Sequence, residues 1–216
     1  MAYITVRSFG EDRFIEKKSE FIGYAKRCET EEEAKEFILE IKNMHKQATH
    51  NCWAYAIGKT MAIQRYSDDG EPQGTAGIPI LEVLKKSNIT DCAVVVTRYY
   101  GGVLLGAGGL TRAYTKGAVI ALASAGVVEK LNGARLILSL DYDLLGKVQY
   151  ICNQNNWHME ETEYADNVKI HILGELPVLD EIEKNMTESS SGKITFERKD
   201  EGIYYKEENR LYKEII

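Results

Sequence analysis

The chain has 216 residues, 44% hydrophobic and 28% charged, with only 3 prolines; this is the composition of a globular protein that buries a core, and it excludes a disordered or collagen-like chain. A formal net charge of −6 excludes a generally basic coat for nucleic acid, yet the charge is uneven: residues 1 to 131 carry 17 Lys+Arg against 16 Asp+Glu, and the remainder carries 10 against 17. No apolar run approaches the roughly 20 residues of a membrane span, and Cys28, Cys52, Cys92 and Cys152, scattered without a CxxC pair or a signal peptide, read as reduced, mostly buried thiols of a soluble, cytoplasmic protein.

In chain order, alternation through Tyr3 to Ser8, then Phe14-Ile15 and Phe21 to Tyr24, predicts an antiparallel meander with turns at Glu11-Asp12 and Lys18-Ser19. Thr30 followed by Glu33 forms a capping box, and Ala34, Phe37, Ile38, Ile41 and Met44 recur at helical spacing, which predicts a helix over Glu31 to Lys46. Cys52 to Ile57 reads as a strand, Ile78 to Lys86 as a short helix opened near Pro79, and Ala93 to Thr97 as a β-branched strand buried on both faces. Small and apolar residues from Leu110 to Ala125 form an almost complete stripe that ends at Gly126, so a helix is expected from Gly109 to Ala125.

Leu131-Asn132-Gly133 supplies turn chemistry for a short linker. Beyond it, Arg135 to Tyr142 alternates as a strand and Leu144 to Cys152 repeats as a helix. Trp157 to Tyr164 and Val168 to Leu173 read as strands, Leu176 to Met186 as a helix with Pro177 in its first turn, and Ile194 to Tyr205 as a strand. The order β-α-β-β-α-β is that of a ferredoxin-like domain. The chain therefore divides into residues 1–131 and 132–216.

The stretch RYYGGVLLGAGGLTRAY, Arg98 to Tyr114, places Gly101, Gly102, Gly106, Gly108 and Gly109 within nine residues, and no carboxylate occurs between Asp91 and Glu129. Two readings are open. In one, the glycines only let the helix approach its sheet closely. In the other, a strand, a bare turn and a helix N-terminus beside Arg98, Arg112 and Lys116 receive an anion such as a phosphate. Arg112 and Lys116 stand in the first two turns, where the helix dipole disfavours cations by ~0.3 to 1 kcal/mol and no local carboxylate compensates. The P-loop lysine and hydroxyl and the acidic partner of a dinucleotide fingerprint are both missing, which leaves single-phosphate or backbone recognition.

A second glycine cluster, SDDGEPQGTAGIP from Ser67 to Pro79, holds Asp68, Asp69 and Glu71. It reads as a solvated acidic turn or, alternatively, as the source of a general base or a metal ligand. His50 lies near the end of the first predicted helix, as does His45; each is read as a partner of the helix dipole or, for His50, as a candidate for catalysis. His158 and His171, on predicted strands, are given no role.

Three segments together resemble the IMPACT/YigZ family: THNCWAYAIG at 49–58, SDDGEPQGTAGIPIL at 67–81 and VVVTRYYGGVLLGAGGLTRAY at 94–114. The resemblance implies an α+β protein of two domains. The N-terminal one would be similar to the second domain of ribosomal protein S five, a β-meander plus helices on a mixed sheet. The C-terminal, ferredoxin-like one would be similar to the fifth domain of elongation factor G. The family's motif falls here on His50, Asp68, Asp69, Gly70, Glu71, Pro72, Gly74, Thr75, Gly77, Arg98, Tyr99, Gly101, Gly102, Gly106, Gly108, Gly109, Leu110 and Arg112, with no catalytic role implied for any of them. Eukaryotic relatives regulate translation by binding an activator of an initiation-factor kinase; they carry an additional domain that this sequence lacks, so that partner is not carried over.

Three functions fit these residues. The first is a non-enzymatic, translation-associated protein that binds RNA or the ribosome, with Arg98, Arg112 and Lys116 on phosphates and Tyr99 or Tyr100 as a stacking face. The second is an enzyme for a small phosphorylated or acidic substrate held at Gly106 to Gly109, with His50, Asp68 or Asp69 supplying the chemistry. The third is a regulator that binds a protein partner in translation control. No cofactor, metal or membrane is called for, and the oligomeric state is left open.

Overall fold

The computed structural model describes residues 2–208 and 210–213 and falls into two compact units, one of Tyr3–Val128 and one that begins at Glu129. The first contains β1 (Tyr3–Val6), β2 (Gly10–Glu16), β3 (Ser19–Arg27), α1 (Glu31–Met44), β4 (His50–Ile57), β5 (Ile63–Ser67), α2 (Gly77–Lys86), β6 (Cys92–Tyr99) and α3 (Ala107–Ala125). Its sheet has the order β2-β3-β6-β4-β5. All four pairings are antiparallel, and outside this sheet an isolated parallel bridge joins Ile4 to Ile89.

The alternation of β6 divides the core. Val94 and Val96 pack with Ile80, Leu84, Leu110 and Ala118 from α2 and α3. Ala93 and Val95 pack on the other face with Phe37, Ile38 and Ile41 from α1. A central strand covered on both faces has no polar side to offer, which is why its sequence is almost uniformly apolar. Gly117 permits the closeness of α3: a Cβ there would stand 2.7 Å from Val96 Cγ1.

The meander is shorter than its sequence suggests. Glu11 and Asp12 lie within β2, not in a turn, and the hairpin turns at Lys17 and Lys18, whose φ values of 46° and 67° give the left-handed pair that joins twisted strands. β5, in which Gln64, Arg65 and Tyr66 are only partly covered, escapes an apolar pattern because it is the sheet edge. Helix α1 opens as expected: Thr30 Oγ1 accepts the Glu33 N–H at 3.2 Å, while Glu33 Oε2 accepts the Glu29 N–H at 2.7 Å.

The second unit holds α4 (Tyr142–Gln154), β8 (Met159–Tyr164), β9 (Val168–Glu175), α5 (Leu176–Ser190), β10 (Thr195–Glu207), β11 (Arg210–Tyr212) and most of β7 (Val127–Leu140). The path β11-β10-β7-β9-β8 contains the ferredoxin-like order, antiparallel throughout. Leu136, Leu138, Ile170 and Ile172 meet Val148, Cys152, Leu179 and Ile182 from the two helices on one face. Leu131-Asn132-Gly133 is not a turn. It lies inside β7, where Gly133 pairs with Glu175 and Gly202, and a Cβ there would come within 2.8 Å of Gly174 O. Its glycine answers to packing, not to chain reversal.

All four cysteines are free and buried. Among the described residues no helix is long and apolar enough to cross a membrane.

Candidate functional site

The three motif segments meet at one end of the N-terminal sheet, where they make two environments of opposite kind. The first is closed. On β6 the alternation Val94, Val96, Arg98 turns the Arg98 side chain toward α2 and α3, where it is 5% exposed. Its Nη1 donates to Glu71 Oε1 at 2.6 Å, and the same oxygen accepts the Tyr114 hydroxyl at 2.8 Å. The guanidinium carbon lies 5.5 Å from the Phe21 ring centre and 5.4 Å from that of Tyr100. Arg98 is thus not placed to meet a phosphate, contrary to its sequence reading. Its compensating carboxylate comes from a different loop, 27 residues earlier, so the absence of acids in the local sequence gave no sign of it.

The acidic loop is built, not solvated. Asp68 Oδ1 accepts the N–H groups of Ala76 and Gly77 at 3.0 and 2.8 Å, and Oδ2 accepts that of Gly74 at 2.8 Å. These are the free amides at and before the start of α2, which has no side-chain cap from its own Ala76. Asp69 takes the Lys42 ammonium at 2.6 Å and the Asn51 N–H at 2.7 Å, while its carbonyl accepts from His50 Nδ1 at 2.8 Å. Thr75 Oγ1 donates to Pro72 O at 2.6 Å. Gly70 and Gly74 take φ of 90° and 77° in the turns, and Gly77 packs against the Ser67 backbone.

Both aspartates therefore have structural tasks, and the general-base and metal readings of this loop find no free carboxylate on them. His50 Nε2 faces Glu71 Oε1 at 3.9 Å, and that carboxylate is already held by Arg98 and Tyr114. Burial raises the Tyr114 phenol and the Cys52 thiol far above their ordinary ranges, so neither is a nucleophile at neutral pH. Tyr99 is engaged on the other face of β6, where its hydroxyl meets His45 Nδ1 at 2.8 Å; Tyr24 takes His45 Nε2 at 2.6 Å. Tyr100, 45% exposed, is the aromatic that remains at the surface.

The second environment is open. From Gly102 to Gly108 the chain is exposed except at Leu105, and Leu104 is 81% exposed. Gly106 caps α3 at φ 71° with no side-chain hydrogen bond, and no acidic residue stands in the first turn. The first intrahelical acceptor serves Leu110, whose N–H reaches Gly106 O at 2.9 Å, so the amides of Ala107, Gly108 and Gly109 have no intrahelical partner. Arg112 is exposed beside Gly108, and Lys116 Nζ lies 4.3 Å from the Phe14 ring centre. A cleft of about 200 Å³ is lined by Phe14, Glu16, Lys17, Leu105, Gly109, Arg112, Ala113 and Lys116. It sets three cations against one carboxylate. Lys17 escaped the sequence reading because it arrives from the β2–β3 hairpin; Gly101, whose N–H donates to Ser19 Oγ at 3.2 Å, ties the loop to that hairpin.

The fold and these two environments define a two-domain α+β protein that carries a sealed polar cluster beside an uncapped, cation-flanked helix N-terminus. Residues 17–122 match the Impact N-terminal domain and residues 138–193 a domain of unknown function, DUF1949. The chain is 45% identical to the IMPACT family member YvyE of Bacillus subtilis, over 89% of this chain and 88% of that one. It is 32% identical to the IMPACT family member YigZ of Escherichia coli, over 82% and 88%. A crystal structure described as that of a hypothetical protein is 28% identical and superposes with a TM-score of 0.56, covering 90% of this chain and 96% of its own. The chain belongs to the IMPACT family.

Proposed function

We propose that this protein is a non-enzymatic module of translation control that binds ribosomal RNA through the start of α3. The observation that carries the reading is the uncapped helix terminus at Gly106, with amides that lack intrahelical partners and Lys17, Arg112 and Lys116 around an adjoining cleft. Amides at a helix start and flanking cations are the complement of a phosphodiester. The translation context is what resemblance to the eukaryotic members of the family supports. With a net charge of −6, attraction must come from this local patch, so binding should be modest and strongly salt-dependent.

A catalytic reading draws little support, since Asp68 and Asp69 are committed to backbone amides and Lys42. One observation favours a protein partner instead: Leu104, at the tip of the glycine loop, exposes most of its side chain. Cosedimentation with ribosomes separates the two. The RNA reading expects binding that falls steeply between low and moderate salt and is lost in Arg112→Glu/Lys116→Glu; binding that resists both and is lost in Leu104→Ser overturns it in favour of a protein partner.

A further inference from the structure

His171 was given no role by the sequence, and the fold places it in an unusual position. It lies on β9, on the sheet face opposite α4 and α5, yet it is only 7% exposed. Strand β8 pairs with β9 through Met159↔Ile172 and then Glu161↔His171, a register shift that leaves Glu160 as a bulge. Met159 packs with the helix-side core. Without the bulge, the two-residue period of a strand would put Glu161 and Glu163 on that same side; the extra residue turns both onto the face of His171.

The result is a cluster in which one carboxylate oxygen from each of Glu161 and Glu163 and one ring nitrogen of His171 lie within 4.8 Å of one another. Glu163 Oε1 is 3.0 Å from His171 Nε2, yet this buried nitrogen makes no hydrogen bond among the described residues. The contact with Glu163 thus leaves this buried nitrogen unsatisfied beside the carboxylate pair. We propose that Glu161, Glu163 and His171 bind one transition-metal ion of the zinc class, with water completing the coordination.

One imidazole and two carboxylates form a donor set suited to such ions, and the nitrogen selects against calcium and magnesium. Ligand atoms around a tetrahedral zinc ion stand about 3.3 Å apart, given bond lengths near 2.0 to 2.1 Å. Both glutamates are exposed, so their side chains can close that distance without moving the backbone. Arg135 opposes the site in one respect: its Nη1 approaches His171 Nδ1 at 3.4 Å, whereas a metal on Nε2 requires the ring proton on Nδ1. Asp200 Oδ2, 3.5 Å from Arg135 Nε, offers the guanidinium another partner. Such an ion would clip the edge strand β8 to β9.

The test is calorimetric titration of the full chain, first treated with chelator, with Zn²⁺ and in parallel with Mg²⁺. We expect one Zn²⁺ per chain and no heat from Mg²⁺. Affinity should fall at least about tenfold in His171→Gln and in Glu163→Gln, and rise in Arg135→Met, where the conflict at Nδ1 is removed. Glu163→Gln alters an exposed side chain and so keeps the question open to a folded protein. Absence of Zn²⁺ binding, binding that survives His171→Gln, or loss in Glu163→Gln alone overturns the proposal; the last would mark a loose carboxylate pair.

Discussion

Arg98 and Arg112 flank the same glycine segment, and no carboxylate beside either one in the sequence separates them. Arg98 stands one residue before the end of a strand buried on both faces and is closed in by Glu71, Phe21 and Tyr100. Arg112 opens a helix whose first amides are uncapped, and it stands exposed beside a cleft with Lys17 and Lys116. The difference is set by the strand's two-residue period, which drives Arg98 into the core, and by the helix turn, which carries Arg112 outward. A cation that must lie inside needs a carboxylate from elsewhere in the chain, and Glu71 arrives by way of the acidic loop. A cation left at a helix start without such a partner is the one available to a ligand.

The contrast predicts opposite consequences for matched substitutions. Removing one partner of the closed pair, by Arg98→Ala or Glu71→Ala, leaves a buried charge without compensation and should cost about 3 to 5 kcal/mol in urea unfolding. Arg112→Ala should change stability by less than about 0.5 kcal/mol while it weakens ligand binding. If both arginines proved equally costly to remove, the division into closed and open halves would fail.

A smaller effect attends the loop that closes the cluster. Asp68→Ala frees the amides of Gly74, Ala76 and Gly77 and should destabilise the N-terminal domain by about 2 kcal/mol, as the loss of a strong helix cap does. Hydrogen exchange at the start of α2 would show where the loss falls, and unchanged protection at Ala76 and Gly77 would count against a capping role. Asp68→Asn, which keeps one acceptor oxygen, should lose less.

How much of this was legible in the sequence depends on the range of the interaction. The capping box at Thr30, the small-residue stripe of α3 and the β-α-β-β-α-β order are local or periodic patterns, and each marks its element. The partner of Arg98 was legible only indirectly: continuing the alternation Val94, Val96 places Arg98 inside, and an inward arginine demands a carboxylate, though not a particular one. Lys17 in the cleft and the bulge at Glu160 depend on strand register, which no local pattern states. Gly133 misled because turn and close packing call for the same residue.

The face of β6 on the α1 side offers a pH test of milder size. Burial between Tyr24 and Tyr99 holds the His45 pKa below the ordinary 6.5. The unfolded chain then takes up its proton at higher pH than the folded one, so the contribution of His45 to stability is complete above about pH 6.5 and is lost as pH falls through the lowered value. His45→Gln should flatten that part of the stability profile; an unaltered slope would show that other groups set it. Least visible of all should be the thiols. Burial raises Cys28 to about 12 and Cys152 to about 11 and pushes Cys52 and Cys92 up further, so a thiol reagent at pH 7.5 should label none of the four until the chain unfolds.

The most direct measurement is the backbone amide spectrum of the protein during titration with a short single-stranded RNA at low salt. The account predicts that the largest shifts fall on Ala107, Gly108 and Gly109, with Arg112 following, and that they vanish in Arg112→Glu/Lys116→Glu while the spectrum of the Arg98–Glu71 cluster stays in place. Shifts that appear elsewhere and leave the start of α3 untouched would contradict it.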